Sequence, residues 1–166
     1  MPRMIVLVGN IASGKTTMSK KLAKMGYRVI SRDALRYMVG AGEYVFDVSL
    51  EHTIAEAHDN LLEAFLDNKI DVVIDEVNVQ YARRAQFITM AKDYNYHIIA
   101  LELPRLSKKI SVDRRSKDSH GKFDRKIWEG VWDKFDKAYS SPTKKEGFDW
   151  VFKCDRNLTK FEILGQ

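Results

Sequence analysis

The 166-residue chain has one cysteine, Cys154, so it cannot form an internal disulfide, which fits a reducing compartment. That thiol falls in a terminal strand, where a buried inert role is expected. No stretch approaches the roughly 18 apolar residues needed to cross a bilayer, so no membrane partner is expected. The N-terminus has no basic segment leading into a long apolar run, hence no secretory signal. A cytoplasmic location follows, in the host cell if the chain is phage-encoded. None of His52, His58, His97 and His120 stands at metal-ligand spacing with a cysteine or another histidine, so structural or surface roles are expected. Repeats, low-complexity tracts and linkers are absent, and the length suits one domain over 1–166. With 45% hydrophobic and 31% charged residues, the composition excludes a disordered chain.

Charge is present but unevenly spread. The net charge is +5, yet residues 1–102 carry 12 Lys/Arg against 13 Asp/Glu, and residues 103–166 carry 16 against 10. Between residues 105 and 126 nine basic residues face three acidic ones. Such a run serves equally as a solvated face or as a surface for a polyanionic substrate.

The most informative stretch is MIVLVGNIASGKTT, residues 4–17. An apolar strand leads into Gly9-x-x-x-x-Gly14-Lys15-Thr16 and then into a segment able to continue as a helix. This is the phosphate-binding P-loop pattern in its required strand-to-helix context. The glycines let successive N–H groups turn inward around a phosphate, so Gly9, Ala12, Ser13, Gly14, Lys15, Thr16 and Thr17 form the expected nucleotide-binding set. The helix dipole and Lys15 add positive charge, and Thr16 offers a hydroxyl to a phosphate-bridging Mg²⁺.

Strand-like and helix-like segments alternate along the chain. Strands are predicted at 4–8, 27–31, 71–75, 97–103 and 148–154, and helices at 15–25, 49–68, 80–94, 106–115 and 124–139, with a further helix starting at 32. Ser49 is the expected N-cap of the longest helix, with Leu50, Ile54, Ala57, Leu61, Phe65 and Leu66 on its buried face. The helix at 124–139 is expected to bury Ile127, Val131, Phe135 and Ala138, while Trp128, Trp132, Phe135 and Tyr139 read as a core stripe. The tail from 155 carries no clear pattern. The fold class is α/β, a P-loop NTPase three-layer sandwich with a mostly parallel sheet and a helical lid at about 106–126.

In such sheets ligands bind beyond the carboxyl ends of the strands. Asp33 lies there, able to take a proton from an attacking hydroxyl or simply to cap a helix and pair with Arg36. Arg36 holds an acceptor phosphate or serves that pair. At the end of the third strand Asp75 and Glu76 compete for the Mg²⁺ side of the site, and Asn78 braces the loop or touches the acceptor. The stretch 112–122, with Arg114, Arg115 and Lys117, is shaped like a lid that brings cations onto a transferring phosphoryl group, or is a basic turn in solvent.

Gly9–Thr17, Ser31-Arg32-Asp33-x-x-Arg36, the strand ending Asp75-Glu76-x-Asn78 and the Arg114-Arg115-Ser116-Lys117 lid occur in the order found in one family. The chain resembles the kinase domain of the polynucleotide 5′-hydroxyl kinases of phage and bacteria. That resemblance implies Asp33 as general base and Arg36 as clamp on the acceptor's 3′-phosphate, with Glu76 and Asn78 on the acceptor side. It also implies Lys15 and Thr16 on the donor phosphates and Mg²⁺, Asp75 toward the metal, and Arg114, Arg115 and Lys117 on the donor. The family's third P-loop glycine is Ala12 here, and its second lid arginine is Asp118, leaving Lys117 or Arg115 to substitute. The family's phosphatase partner domain has no counterpart in these residues. The expected activity is ATP-dependent, Mg²⁺-assisted phosphoryl transfer to a nucleic-acid 5′-hydroxyl. Rivals are a kinase of a small or modified-base hydroxyl and a nucleotide-binding module without catalysis.

Overall fold

A buried apolar strand sits at the centre of the sheet because every residue from Met4 to Val8 is taken out of water. The structure is a computed structural model that describes residues 1–118 and 123–163. The central strand is β1 (Arg3–Val8), and around it lie β2 (Arg28–Ile30), β3 (Val72–Ile74), β4 (His97–Glu102), β5 (Trp150–Cys154) and β6 (Phe161–Ile163). Their order is β2-β3-β1-β4-β5-β6, parallel except for the antiparallel β5–β6 pair. Strand β1 pairs with β3 on one side and β4 on the other, so Val6 lies between Ile74 and Ala100. The order reverses at β1, which places the ligand crevice beyond its carboxyl end.

Helices α1 (Lys15–Lys24), α2 (Arg32–Val39), α3 (Glu51–Asp67), α4 (Tyr81–Asp93), α5 (Lys108–Arg115) and α6 (Arg125–Lys137) connect and cover the strands. One core joins β1 and its neighbours to Leu62 and Leu66 of α3 and Phe87, Ile88 and Ala91 of α4. A second lies on the opposite face, through Ile5 and Leu7, against Met18 and Leu22 of α1. The result is the expected three-layer P-loop NTPase fold. No helix among the described residues is long and apolar enough to cross a membrane.

Several expectations shift. Ser49 does not cap the long helix; it lies in a 3-10 turn (Val48–Leu50) whose cap is Asp47, and α3 starts only at Glu51. The buried face of α3 is Ile54, His58, Leu62 and Leu66, while Ala57, Leu61 and Leu50 face solvent. In α6, Trp128 is buried and Ile127 is 49% exposed, one residue from the expected stripe. The aromatics Trp128, Trp132 and Phe135 do pack as a core, with Ile11 and Val112. The tail forms β6, whose three residues are exposed and carry no buried pattern to read. Cys154 is buried as expected, and burial pushes its thiol up, which makes it inert.

Candidate active site

The loop between β1 and α1 folds as a cradle. Gly9 N–H donates to the Val77 carbonyl at 3.0 Å, fastening the loop to the end of β3. A Cβ at Gly9 would run into the Ser13 hydroxyl, so the close turn requires glycine. Gly14 has φ +102°, and a Cβ there would meet Leu158 at 2.9 Å. Ala12, where the resembled family has glycine, also takes the left-handed region at φ +54°, a conformation glycine would adopt without strain. Lys15 Nζ donates to the carbonyls of Gly9 and Asn10 at 2.9 and 2.7 Å, folding the side chain back over the cradle. Burial pushes its pKa down to about 8, with Asp75 opposing.

Asp75 leaves β3 beside this loop and accepts from Ser19 Oγ at 2.8 Å. Burial pushes its carboxyl up, with Lys15 and the Ser19 bond opposing. No cluster of three or more His, Cys, Asp or Glu suited to a metal occurs among the described residues. The Thr16 hydroxyl and the Asp75 carboxylate line one cleft, however, and an oxygen pair of this kind suits Mg²⁺, which completes its shell with water and phosphate oxygens. The donor set therefore fits that ion.

Ser31 caps α2 and so sets Asp33 in its first turn, where it lines the same cleft as Gly14, Lys15 and Thr16. Asp33 Oδ1 accepts from Arg36 Nη1 at 2.6 Å and from the Tyr44 hydroxyl at 3.0 Å, and Arg115 Nη2 lies 3.5 Å from Oδ2. Arg36 is buried and also pairs through Nε and Nη2 with both oxygens of Glu51. Its fork is thus filled by carboxylates. Glu76 accepts from the backbone N–H and the guanidinium of Arg32, at 2.7 to 3.1 Å, tying β3 to the start of α2. Asn78 is buried at φ +48° and donates to the Leu7 carbonyl at 2.9 Å, which is the bracing alternative.

Helices α5 and α6 rest on the cradle. Asn10 Nδ2 donates to the Trp132 carbonyl, and Arg114 Nη1 lies 3.5 Å from the Ala12 carbonyl. Arg115 stacks over Trp128 at 4.8 Å and reaches both Asp33 and Asp118. The position that lacks the second arginine therefore holds a counter-ion for Arg115.

A cleft of about 1000 Å³ gathers Ala12, Gly14, Lys15, Thr16, Thr17, Asp33, Arg36, Asp75, Glu76, Asn78, Arg114 and Arg115. Gly9, Ser13 and Lys117 do not line it; Gly9 and Ser13 are buried, and Lys117 is exposed. His120 and the rest of 119–122 lie outside the described residues. The cleft also contains Tyr44, Phe46, Glu51 and Arg83, which the sequence reading did not single out. Glu51 is far from Arg36 along the chain and carried no spacing signal. Arg83 follows the third strand by a few residues, as Arg36 follows the second, and that placement was its one available sign.

The chain is 28% identical over 169 residues to L-seryl-tRNA(Sec) kinase of Methanococcus maripaludis, covering 97% of this chain and 64% of that protein. It thus spans less than two thirds of that curated relative. The solved Pnkp1/Rnl/Hen1 RNA repair complex contains a chain that superposes with a TM-score of 0.65 at 20% identity, over 89% of this chain and 46% of that one. Kti12 of Chaetomium thermophilum in complex with ADP-AlF3 superposes at 0.61 and 21% identity, over 90% and 87%. These likenesses fix the fold. The AAA domain model matches residues 4–142, from the second residue of β1 to beyond α6, and the chain belongs to that family.

Proposed function

We propose that this chain is a nucleoside triphosphate-dependent kinase acting on a hydroxyl carried by a nucleic acid, most specifically the 5′-hydroxyl end of DNA or RNA. One observation carries the reading: Lys15 and Thr16 of the cradle, Asp33 of α2 and the arginines of α5 all line a single cleft. A nucleotide-holding module would need the first pair alone. The names of two similar proteins, a kinase of seryl-tRNA and an RNA repair complex, support a nucleic-acid-linked acceptor.

In this mechanism the acceptor oxygen bonds to the γ-phosphorus of ATP while its proton passes to Asp33. The bond from the γ-phosphorus to the β–γ bridging oxygen breaks, and ADP leaves with that oxygen. Lys15, Arg114 and Arg115 balance the charge on the moving phosphoryl group. Thr16 and Asp75 would hold Mg²⁺, which would supply charge neutralisation to the donor phosphates. Arg115 already touches Asp33, so the base and the cation sit at one end of the cleft.

The test offers labelled ATP with a 5′-hydroxyl oligonucleotide, its 5′-phosphorylated form, serylated tRNA, nucleosides and hydroxymethylated DNA. Label on the 5′-hydroxyl strand alone is the expected result. Label on serylated tRNA instead would favour a second reading, an aminoacyl hydroxyl as acceptor, which the 28%-identical relative motivates. ATP binding without transfer to any acceptor would leave the non-catalytic module. Asp33→Asn is expected to cut turnover by about a hundredfold or more with ATP affinity retained, and near-normal turnover would remove Asp33 as base.

A further inference from the structure

The turn after α2 is wound tightly enough to send the chain back over that helix. Gly42 N–H donates to the Tyr37 carbonyl at 2.8 Å, and Glu43 N–H donates to the Gly40 carbonyl at 3.0 Å. A Cβ at Gly40 would collide with the Glu43 carbonyl, so this winding requires glycine there. The residue that follows, Tyr44, packs its ring against Tyr37 at 5.3 Å between centres and brings its hydroxyl to Asp33 Oδ1 at 3.0 Å.

Other elements hold the same phenol in place. Its ring meets Phe123 edge-on at 6.4 Å, Phe123 meets Trp128 at 5.6 Å, and Arg115 lies over Trp128 at 4.8 Å. Arg115 Nη2 in turn lies 3.5 Å from Asp33 Oδ2. The contacts thus run from Asp33 through Tyr44, Phe123, Trp128 and Arg115 back to Asp33. Packed against two aromatic neighbours, Tyr44 has little freedom to swing its hydroxyl away.

The two oxygens of the Asp33 carboxylate have different surroundings. Oδ1 accepts from Arg36 Nη1 at 2.6 Å as well as from Tyr44. Two donors draw charge from that oxygen and fix the plane of the group. Oδ2 has the longer contact with Arg115, a cation the mechanism turns to the phosphoryl group. Burial and the Asp33 charge push the Tyr44 pKa well above the usual phenol value, so the hydroxyl keeps its proton and stays a donor.

We infer that Tyr44 is a positioning residue for the general base, holding the Asp33 carboxylate by Oδ1 so that Oδ2 takes the proton of the acceptor hydroxyl. This rests on the kinase reading above. The acceptor O–H bond breaks, the Oδ2–H bond forms, and the electron pair left on the acceptor oxygen goes to the γ-phosphorus. Tyr44 itself neither gains nor loses a proton.

The test compares wild type with Tyr44→Phe, which keeps the ring against Tyr37 and Phe123 and removes the hydroxyl alone. On the acceptor that the wild type phosphorylates, kcat is expected to fall about ten- to a hundredfold, with KM for ATP and Tm unchanged. The acid limb of kcat is expected to move to higher pH, because the carboxylate has lost a donor that favours its charged form. Among the described residues Asp33 is also faced by Arg36, Arg115, Lys15 and Asp75, all unaltered by this substitution. A normal kcat, or a lowered kcat with an unmoved acid limb, overturns the assignment and leaves the kinase reading intact. A wild type that phosphorylates no acceptor overturns the kinase reading and the proton role with it. Isotope-edited NMR titration of the Asp33 carboxyl, identified by its loss in Asp33→Asn, decides the Tyr44 contact without turnover. Its midpoint is expected to rise in Tyr44→Phe, and an unchanged midpoint overturns the assignment.

Discussion

Arg84, fully buried beside Arg83, shows what a guanidinium does when its needs are met. It holds Glu146 through Nε and Nη2 at 2.7 and 2.8 Å, and donates from Nη1 to the carbonyls of Asn78 and Ser140 at 3.0 and 2.9 Å. These bonds tie the cleft wall at Asn78 to the segment after α6. Arg84→Met leaves the Glu146 carboxylate without its partner, and urea unfolding should show a loss of about 3–5 kcal/mol. A loss under about 1 kcal/mol would show that the pair is not structural. Lys15 makes a second prediction. Its pKa is about 8 in the nucleotide-free fold, and an incoming triphosphate favours the charged form. Nucleotide binding at pH 8 should take up part of a proton that is already bound at pH 6, as calorimetry in buffers of different ionisation heat would reveal. The sign for stability runs the same way: the unfolded chain holds this proton more tightly, so the contribution of Lys15 improves as pH rises from about 8 toward the ordinary 10.5. Lys15, Asp33 and Asp75 were legible in the sequence because each stands at a fixed place relative to a strand end. The pairing of Arg36 with Glu51 was not, since it depends on how the turn at 40–47 folds α3 back against α2.

Among the elements, β3 was readable from three consecutive buried residues, while α3 was read correctly at Ile54 and Leu66 and one position early at Ala57 and Leu61, where His58 and Leu62 are the buried residues. At its start Asp47 caps a 3-10 turn, with its side chain accepting from Ser49 N–H and hydroxyl, so α3 begins only at Glu51. Leu62 is fully buried and Leu61 is 39% exposed, so Leu62→Ala should cost about 2–5 kcal/mol and Leu61→Ala less than about 0.5. Equal effects in thermal or urea unfolding would return the helix to the phase read from the sequence. In α6 the shift has another cause. Trp128 turns inward because Arg115 stacks on its face and Phe123 meets it edge-on, at 4.8 and 5.6 Å between centres. Contacts of that kind join three separate segments and leave no periodic trace in any one of them.

Across the whole molecule, the two halves of unlike charge meet at the cleft. Residues 1–102 provide four strands, the cradle and the acidic groups Asp33, Asp75 and Glu76, while the basic remainder provides α5, α6 and the arginines that reach over them. The charge run was visible in the sequence, but its dual use was not: Arg125 and Lys108 pair locally with Asp113 and Asp133, whereas Arg114 and Arg115 enter the site. If the acceptor is a strand, its KM should rise at least about threefold between roughly 50 and roughly 200 mM salt, with a free nucleoside less affected. A salt response that is the same for both acceptors would argue against strand binding.

Leu158 occupies the space a side chain at Gly14 would need, and its carbonyl takes a hydrogen bond from Lys21 of α1 at 2.9 Å. The back wall of a motif encoded in the first seventeen residues is thus built by the turn between β5 and β6. During synthesis, the ribosome releases the motif long before that wall exists. Nascent chains arrested at residue 150 should therefore fail to retain ATP-agarose, and chains arrested with residue 163 outside the exit tunnel should retain it. Retention by both lengths would mean that the loop assembles without help from the far end.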